Sequence, residues 1–446
     1  MALKEFKFVT TAFVFSVSTL GVAGDFQDGG DIQTAIDNAV DGQVILIPAG
    51  VYPVYETIDL GGKEIILQGE VDKAGVPTTM LDGGDAVRIM ECVSGETVNT
   101  RIRNLVLTAG LAENGGAMRV VGSAPSLENC VFLQNNSVDQ SCSPCFRGHV
   151  ADPANGGALW IDGGSPSFTD CRFIENTGRY GGAIYADGSE LLMENVEFKA
   201  NTGEKTGGAF YCTDGGLEID GGLFKDNSSE YEAGALYFGA SDFAGNNLLL
   251  TSVEFVSNRT TFNGGAAIIG STGDVTLDGV TCKSNEAGGR GGALYCSMVN
   301  DGVFQMRESL LETNTSGSTG GAVFIKSHTL VNPLFDRCRM ENNVSQNDGS
   351  AVFYADVIEV RDSVVCGNQV LPQIAPDAIW IDLGGNCIRE ECCLADFDCN
   401  GKVDGGDLAR LLGDWDGSDV FYDINGSGVV DGADLAYLLG TWGDCP

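Results

Sequence analysis

The run Cys171-Arg-Phe-Ile-Glu-Asn176, with Gly181-Gly-Ala-Ile184 just after it, decides the fold because both phrases return. Phe198-Lys-Ala-Asn201 is followed by Gly207-Gly-Ala-Phe210, and Phe224-Lys-Asp-Asn227 by Ala233-Gly-Ala-Leu236. Outward from this core, the apolar-x-x-Asn phrase also stands at Phe132–Asn135 and Phe255–Asn258, and in degenerate form it ends at Asn285, Asn314, Asn343 and Asn368. The glycine phrase starts again at Gly115, Gly156, Gly264, Gly291 and Gly320, with a variant at Gly349-Ser-Ala351. The asparagines step by 41, 25, 26, 31, 27, 29, 29 and 25 residues, the long step being an insertion after Asn135. Self-similarity at a fixed period of a few tens of residues marks a repeat architecture.

Within a repeat, positions 3 and 5 before the asparagine are apolar or small, and so are positions 8 and 10, as in Leu191 and Met193, Leu217 and Ile219, Leu248 and Leu250. The positions between them are mixed (Arg172, Glu197, Glu254, Glu218), which is the period-two alternation of strands with one inward face. The phase slips at Glu128-Asn129 and Thr169-Asp170, so a bend belongs there. With a strand after each Gly-Gly-Ala, each repeat is expected to supply three short strands and three bends. One repeat cannot bury its own apolar face and must stack on its neighbours. The expectation is an all-β, right-handed parallel β-helix, a solenoid with rungs roughly 4.8 Å apart. Asparagine at a recurrent bend is placed to ladder its amide between rungs. Gly-Gly permits positive φ and close backbone approach. Leucine-rich and helical repeats fit worse, because no segment sustains a 3.6 period.

Composition sets the wider frame. The 446 residues include 63 glycines with no three-residue period, so collagen is excluded. With 25 Lys and Arg against 62 Asp and Glu, the formal charge is -37, which excludes nucleic acid as a natural partner. Fifteen cysteines suit an oxidising compartment. Residues 1–24 read as a secretory signal peptide: Lys4 and Lys7 precede an apolar run from Phe8 to Val22, and Ala23 and Gly24 follow. A membrane anchor is the alternative, but the run is short and carries Thr and Ser. No later run is long enough to span a bilayer, so a secreted, extracellular or cell-surface protein with no membrane span in the mature chain is expected. Residues 25–388 form the β-helix. Ile32, Ala35, Ile36 and Ala39 predict a short amphipathic helix over its open end, and strand-like runs follow at Val44–Ile47, Glu64–Gln68, Val87–Cys92 and Ile102–Leu107.

These paired phrases resemble the Gly-Gly-Ala-Ile and Phe-x-x-Asn repeats of the polymorphic outer-membrane protein family. The opening Ile32–Tyr52, with Ile47-Pro-Ala-Gly-Val-Tyr52, is similar to the first coil of pectin-lyase-like β-helices. Both resemblances imply a right-handed parallel β-helix.

The composition changes near residue 389. From Glu390 to Pro446 thirteen acids face Lys402 and Arg410. Asp396, Asp398, Asn400, Asp404 and Asp407 stand at positions 1, 3, 5, 9 and 12 of a calcium loop, with Gly401 at position 6 for the turn. Asp423, Asn425, Ser427, Gly428, Asp431 and Asp434 repeat the spacing 27 residues later. Lys402 and Val429, at position 7, would ligate through their carbonyls. Oxygen donors at alternate positions wrap a hard cation, so two calcium ions are expected. Each loop runs into an apolar helix, Leu408–Leu412 and Leu435–Leu439. Residues 389–446 thus resemble a type I dockerin module, which implies a cohesin-like scaffold or envelope protein as partner. Loop positions 10 and 11, where dockerins carry a hydroxyl-containing or apolar recognition pair, are here Gly405-Gly406 and Gly432-Ala433.

Cys130 and Cys171 fall on adjacent rungs, where either a disulfide or a pair of buried thiols fits. Cys142 and Cys145 predict a local bridge in the insertion, with His149 nearby; a zinc site would need a further ligand. A bridge from Cys392 or Cys393 to Cys445 would clip the small module. No catalytic residue is assigned: there is no Asp-Asp pair, and the two histidines are His149 and His328. Arg172, Arg339 and Glu197 occupy ordinary repeat positions. Two residues beyond each glycine phrase's alanine come Trp160, Tyr185, Tyr211, Tyr237, Ile268, Tyr295, Phe324 and Phe353. With one strand parity these form an outward aromatic ladder suited to sugar rings; with the other they are core. The sequence therefore favours a non-catalytic β-helix that binds glycans or proteins along its flank and is attached through a calcium module. The alternative is a polysaccharide lyase or glycoside hydrolase carried by a dockerin.

Overall fold

The computed structural model describes residues 22–23, 26–138, 154–239, 246–270, 273–298, 302–327, 332–354, 357–369, 372–374 and 379–446. Most of the expected signal peptide, the Cys142–Cys145 pair, His149 and His328 lie outside the described residues. The chain forms a parallel β-solenoid of about 11 turns, built on a 24-stranded, a 9-stranded and an 11-stranded sheet. Equivalent positions stack in register: Phe173 on Phe198, Phe198 on Phe224 and Phe224 on Phe255. Their rings pile face to face at 4.7, 4.6 and 4.8 Å between centroids in a fully buried column.

Left-handed residues recur at fixed places in the turns, two of them on either side of the strand before the asparagine. One sits at the phase slip, at Asp170, Asn195 and Ser252 with φ of 54°, 53° and 53°. The other immediately precedes the conserved-in-repeat asparagine, at Glu175, Ala200, Asp226 and Ser257 with φ of 55°, 54°, 56° and 56°. The asparagine then locks the corner. Asn201 donates its backbone N–H and its amide to Asn227 Oδ1, both at 3.0 Å, and donates a further amide hydrogen to the Phe173 carbonyl at 2.9 Å. Its own Oδ1 accepts the same pair from Asn176 at 3.0 Å. The chain of amides runs from Asn135 to Asn368 and is buried throughout.

The three-strand expectation needs correction, because a short fourth strand follows the asparagines from Asn135 to Asn343, as in Thr202–Thr206, Ser228–Ser229 and Arg259–Thr260. The amide ladder fixes the backbone there, so that Ser228 N–H reaches the Asn201 carbonyl at 3.0 Å. Most of these strands are too short for alternation to register in sequence. At the next corner Gly207 has φ +71°, and a Cβ on Gly208 would lie 1.9 Å from the Gly234 carbonyl oxygen. Ala233 takes the left-handed conformation, φ 57°, in the one repeat that lacks the first glycine.

Helix α1 (Gly29–Asn38), capped by Asp28, buries Ile32 and Ile36 and covers the first turn. At the other end the last solenoid strand is Cys387–Arg389. Beyond it helices α2 (Gly405–Gly413) and α3 (Gly432–Gly440) pack on their own core of Ala395, Val403, Leu411, Ile424, Val430 and Leu438. Both helices start earlier than their apolar runs, because Asp404 and Asp431 cap them and Asp407 and Asp434 complete capping boxes. Disulfides join Cys366 to Cys392, Cys387 to Cys399 and Cys393 to Cys445. The last clips the module, while the first two tie it to the final turns. Cys130 and Cys171 are buried thiols, the second of their two readings.

Candidate functional site

The ladder faces outward. Trp160, Tyr185, Tyr211, Tyr237, Ile268, Tyr295 and Phe324 align in register on the 11-stranded sheet. Their neighbours Leu159, Ile161, Ile184, Phe210 and Leu236 are in the core. Phe353 continues the register, but its side chain lies outside the described residues. The rung spacing has a consequence for the rings. Tyr185 and Tyr211 stack at 5.2 Å with planes 4° apart, Tyr211 and Tyr237 at 4.5 Å and 4°, Tyr295 and Phe324 at 5.0 Å and 11°. Inside each stack the faces cover one another, so the ladder presents edges and hydroxyls rather than sugar-sized flat surfaces. Ile268 divides the two stacks, Arg119 lies over Trp160, and Arg290 lies over Phe324, which is only 5% exposed.

Burial pushes the Tyr185 phenol up to about 12, with the charges of Asp187, Asp162 and Asp214 adding to it. Burial also raises Tyr211 and Tyr237, so all three stay protonated as hydrogen-bonding groups at neutral pH. At the ends of the same strands Asp162 pairs in register with Asp187, and Asp214 stands near them. Burial raises the Asp187 carboxyl above the usual carboxylate range, and repulsion from Asp214 and Asp162 adds, against one hydrogen bond from Gly188 N–H.

Beside the tyrosine stack the corner strands bring in residues that the repeat pattern did not reveal. Tyr180 meets Tyr211 edge to face at 5.4 Å. Tyr231 leans on Phe262 at 4.5 Å. With Lys205, Glu232, Tyr211 and Tyr237, Tyr180 and Tyr231 line a recess of about 300 Å³. Tyr180, Tyr231 and Phe262 stand one or two positions before their glycine phrases, and that placement is the only sequence signal they carry. On a different flank Arg172 and Glu197 are register neighbours and line a shallow groove of about 530 Å³ with Asp170 and Glu254. Arg339 is elsewhere, 3% exposed beneath the C-terminal module.

The two acidic loops share one geometry. In the first, Asp396 accepts Asn400 N–H at 3.1 Å and Gly401 N–H at 2.9 Å. In the second, Asp423 accepts Ser427 N–H at 3.0 Å and Gly428 N–H at 2.7 Å. Gly401 and Gly428 have φ of +92° and +90°. Asp407 accepts Phe397 N–H at 2.7 Å, and Asp434 accepts Asn425 N–H at 3.1 Å. Carboxylate oxygens of Asp396, Asp398 and Asp407 all lie within 4.8 Å of one another, an oxygen-only donor set that fits a hard divalent cation. Asn400, Lys402, Asp404 and their counterparts Ser427, Val429 and Asp431 keep their loop positions between these carboxylates. Burial raises the Asp407 carboxyl despite three backbone hydrogen bonds, and the charge of Asp398 adds to it. In the first loop the Arg389 guanidinium also lies 2.9 Å from Asp396.

No family model matches the sequence, and no curated protein matches it. Among solved structures, the catalytic domain of a GH87 α-1,3-glucanase bound to nigerose aligns with 82% of this chain and 68% of its own, at 13% identity and a TM-score of 0.47. A PL6-family polysaccharide lyase from Pseudopedobacter saltans aligns with 82% of this chain and 92% of its own, at 12% identity and a TM-score of 0.38. Likeness at this level is no guide to substrate or chemistry.

Proposed function

We propose that this chain is a secreted polysaccharide-binding protein whose solenoid flank contacts the glycan and whose C-terminal module, loaded with two calcium ions, holds it to a cohesin-like scaffold or envelope protein. One observation carries the glycan reading: four tyrosines, a lysine and a glutamate line one recess at Tyr211 and Tyr237. Hydroxyl-rich ligands are recognised by such mixed donors and acceptors beside aromatic surface. Three disulfides support an oxidising, extracellular setting. Among the described residues no helix is long and apolar enough to cross a membrane.

Calcium would be held by Asp396, Asp398, Asn400, Asp404, Asp407 and the Lys402 carbonyl, and by Asp423, Asn425, Ser427, Asp431, Asp434 and the Val429 carbonyl. The partner surface would include Leu412, Trp415, Tyr437, Leu439 and Trp442, which the module exposes. The test is a pull-down of the purified chain, with calcium, on a panel of insoluble polysaccharides, with reducing ends and unsaturated products assayed in parallel. Retention without products is expected; no retention on any polysaccharide refutes the reading.

A second reading, glycan hydrolysis, is favoured by one feature. Glycosidases set two carboxyl groups to different proton affinities, and Asp187 is raised beside Asp162 and Asp214. Released reducing ends, lost in Asp187→Asn, would establish it.

A further inference from the structure

Resting on the glycan reading, we infer that the recess between the tyrosine stack and the corner strands is a subsite for a neutral pyranose, built to exclude uronates. Tyr231 supplies the ring surface that the ladder itself lacks. It is 48% exposed and tilted 47° from Phe262, so part of its face stays open, unlike those of Tyr185 and Tyr211. Its position is fixed by backbone: the Tyr231 carbonyl accepts the Thr260 hydroxyl at 2.9 Å and Phe262 N–H at 3.0 Å. A platform fixed before binding loses little entropy when a sugar stacks on it.

The polar groups suit neighbouring hydroxyls on an uncharged ring. Asn263 donates to Glu232 Oε1 at 2.9 Å, which orients the carboxylate while its other oxygen remains an acceptor. Lys205 makes no ion pair among the described residues and lines the same recess, so its ammonium is available there as a donor. The Tyr211 phenol, held neutral, donates to Tyr237, whose own neutral hydroxyl keeps its proton for a ligand. A volume of about 300 Å³ is at the small end for a ligand site and fits a short saccharide segment rather than a folded partner.

Charge sets the class. One cation, Lys205, lines the recess with Glu232, and the charges of Glu232 and Asp214 both act on the Tyr237 phenol, on a chain of formal charge -37. A polyuronate would bring one negative charge per residue into this field and be repelled along its length. A neutral polymer meets no such repulsion.

The test is titration calorimetry of the full chain with neutral gluco-, manno- and galacto-oligosaccharides and with galacturonan oligomers of the same length. At least one neutral series binds, the uronates do not, and Tyr231→Ala weakens binding about tenfold, the size of one stacking contact. Glu232→Gln weakens it several-fold with an unchanged circular-dichroism spectrum, which separates lost contact from lost fold. Neutral binding that both variants leave intact overturns the subsite and leaves the glycan reading standing. Uronate binding as tight as neutral binding overturns the charge selection. Failure of every oligosaccharide and polysaccharide to bind the unaltered chain overturns the glycan reading itself.

Discussion

The Arg339 guanidinium donates to the backbone carbonyl of Asp423 at 3.0 Å, so the first residue of the second acidic loop rests on a side chain of the solenoid. The same nitrogen reaches the Val420 carbonyl at 2.5 Å, the other terminal nitrogen pairs with Glu341 at 2.8 Å, and Arg337 pairs with Asp419 beside them. The module is therefore seated by charge on the outer face of the late turns, in addition to its disulfides.

Arg339→Ala is expected to loosen that seat. Glu341, whose carboxyl burial already raises despite Arg339, would be left without its partner, at a cost of about 3–5 kcal/mol. Differential scanning calorimetry should show the loss, and calcium titration should show weaker binding at one of two sites. Replacing both partners with Met and Leu should restore much of the melting temperature, since a buried pair exchanged for apolar groups is near neutral. It should not restore calcium affinity, because the Asp423 carbonyl contact is still missing. An unchanged melt and calcium isotherm in Arg339→Ala would contradict the coupling.

Chelation should separate the two parts of the chain. Without a cation the crowded carboxylates of Asp396, Asp398 and Asp407 repel, and the core formed by Val403, Leu411, Val430 and Leu438 is small. Excess EDTA is expected to lower or abolish one calorimetric transition while the solenoid transition stays. A single melt indifferent to chelator would argue against calcium loops.

The ladder asparagines should be the least replaceable polar residues. Asn227 donates to Asn258 Oδ1 from both its backbone and its amide, and to the Phe198 carbonyl, while accepting two bonds from Asn201. Asn227→Ala strands donors on Asn201 and the Phe198 carbonyl in a buried column, so a loss of roughly 3 kcal/mol or more is expected by urea unfolding. Asn368 at the ladder's end accepts the same two bonds from Asn343 and donates to the Met340 carbonyl, so Asn368→Ala is expected to cost a similar amount. Unchanged urea unfolding in either variant would mean that the ladder does not stabilise the column.

How much of this was legible in sequence follows from which interactions repeat. Phe198, Asn201 and Gly208 recur because each must fit its own copy one rung away, and that periodic constraint exposed the solenoid, the ladder and the tight corner. The outward parity of Tyr185 and Tyr211 was open, because alternation gives a strand two faces without saying which is inside. That their rings would cover one another follows from the rung spacing, yet the sequence reading of the outward parity was a set of sugar-facing surfaces. Tyr231, Lys205 and Glu232 form the recess from one repeat and its neighbour, without period, and so were not readable. The seat of Arg339 joins residues more than 80 apart across two unlike modules, which no repeat arithmetic brings together.

Asp187 offers a pH signature. Its carboxyl is raised in the folded chain by burial and by Asp214 and Asp162, above an ordinary value near 3.8. A carboxyl raised on folding contributes stability that is complete below its unfolded pKa and is lost as pH rises through the folded one. At neutral pH the ionised group therefore works against the fold. Asp187→Asn keeps the shape and removes the charge, so the variant should melt above the unaltered chain at pH 7. The gap should close as the pH falls below 3.8, where the unaltered carboxyl protonates in the folded and unfolded chain alike. Because the hydroxyl stack at Tyr185 feels the same charge, its phenol should also titrate lower in the variant, readable by ultraviolet difference absorption at high pH. A melting difference that stays constant with pH would place the effect in packing instead of charge, and would remove the electrostatic link between this carboxylate column and the tyrosine face.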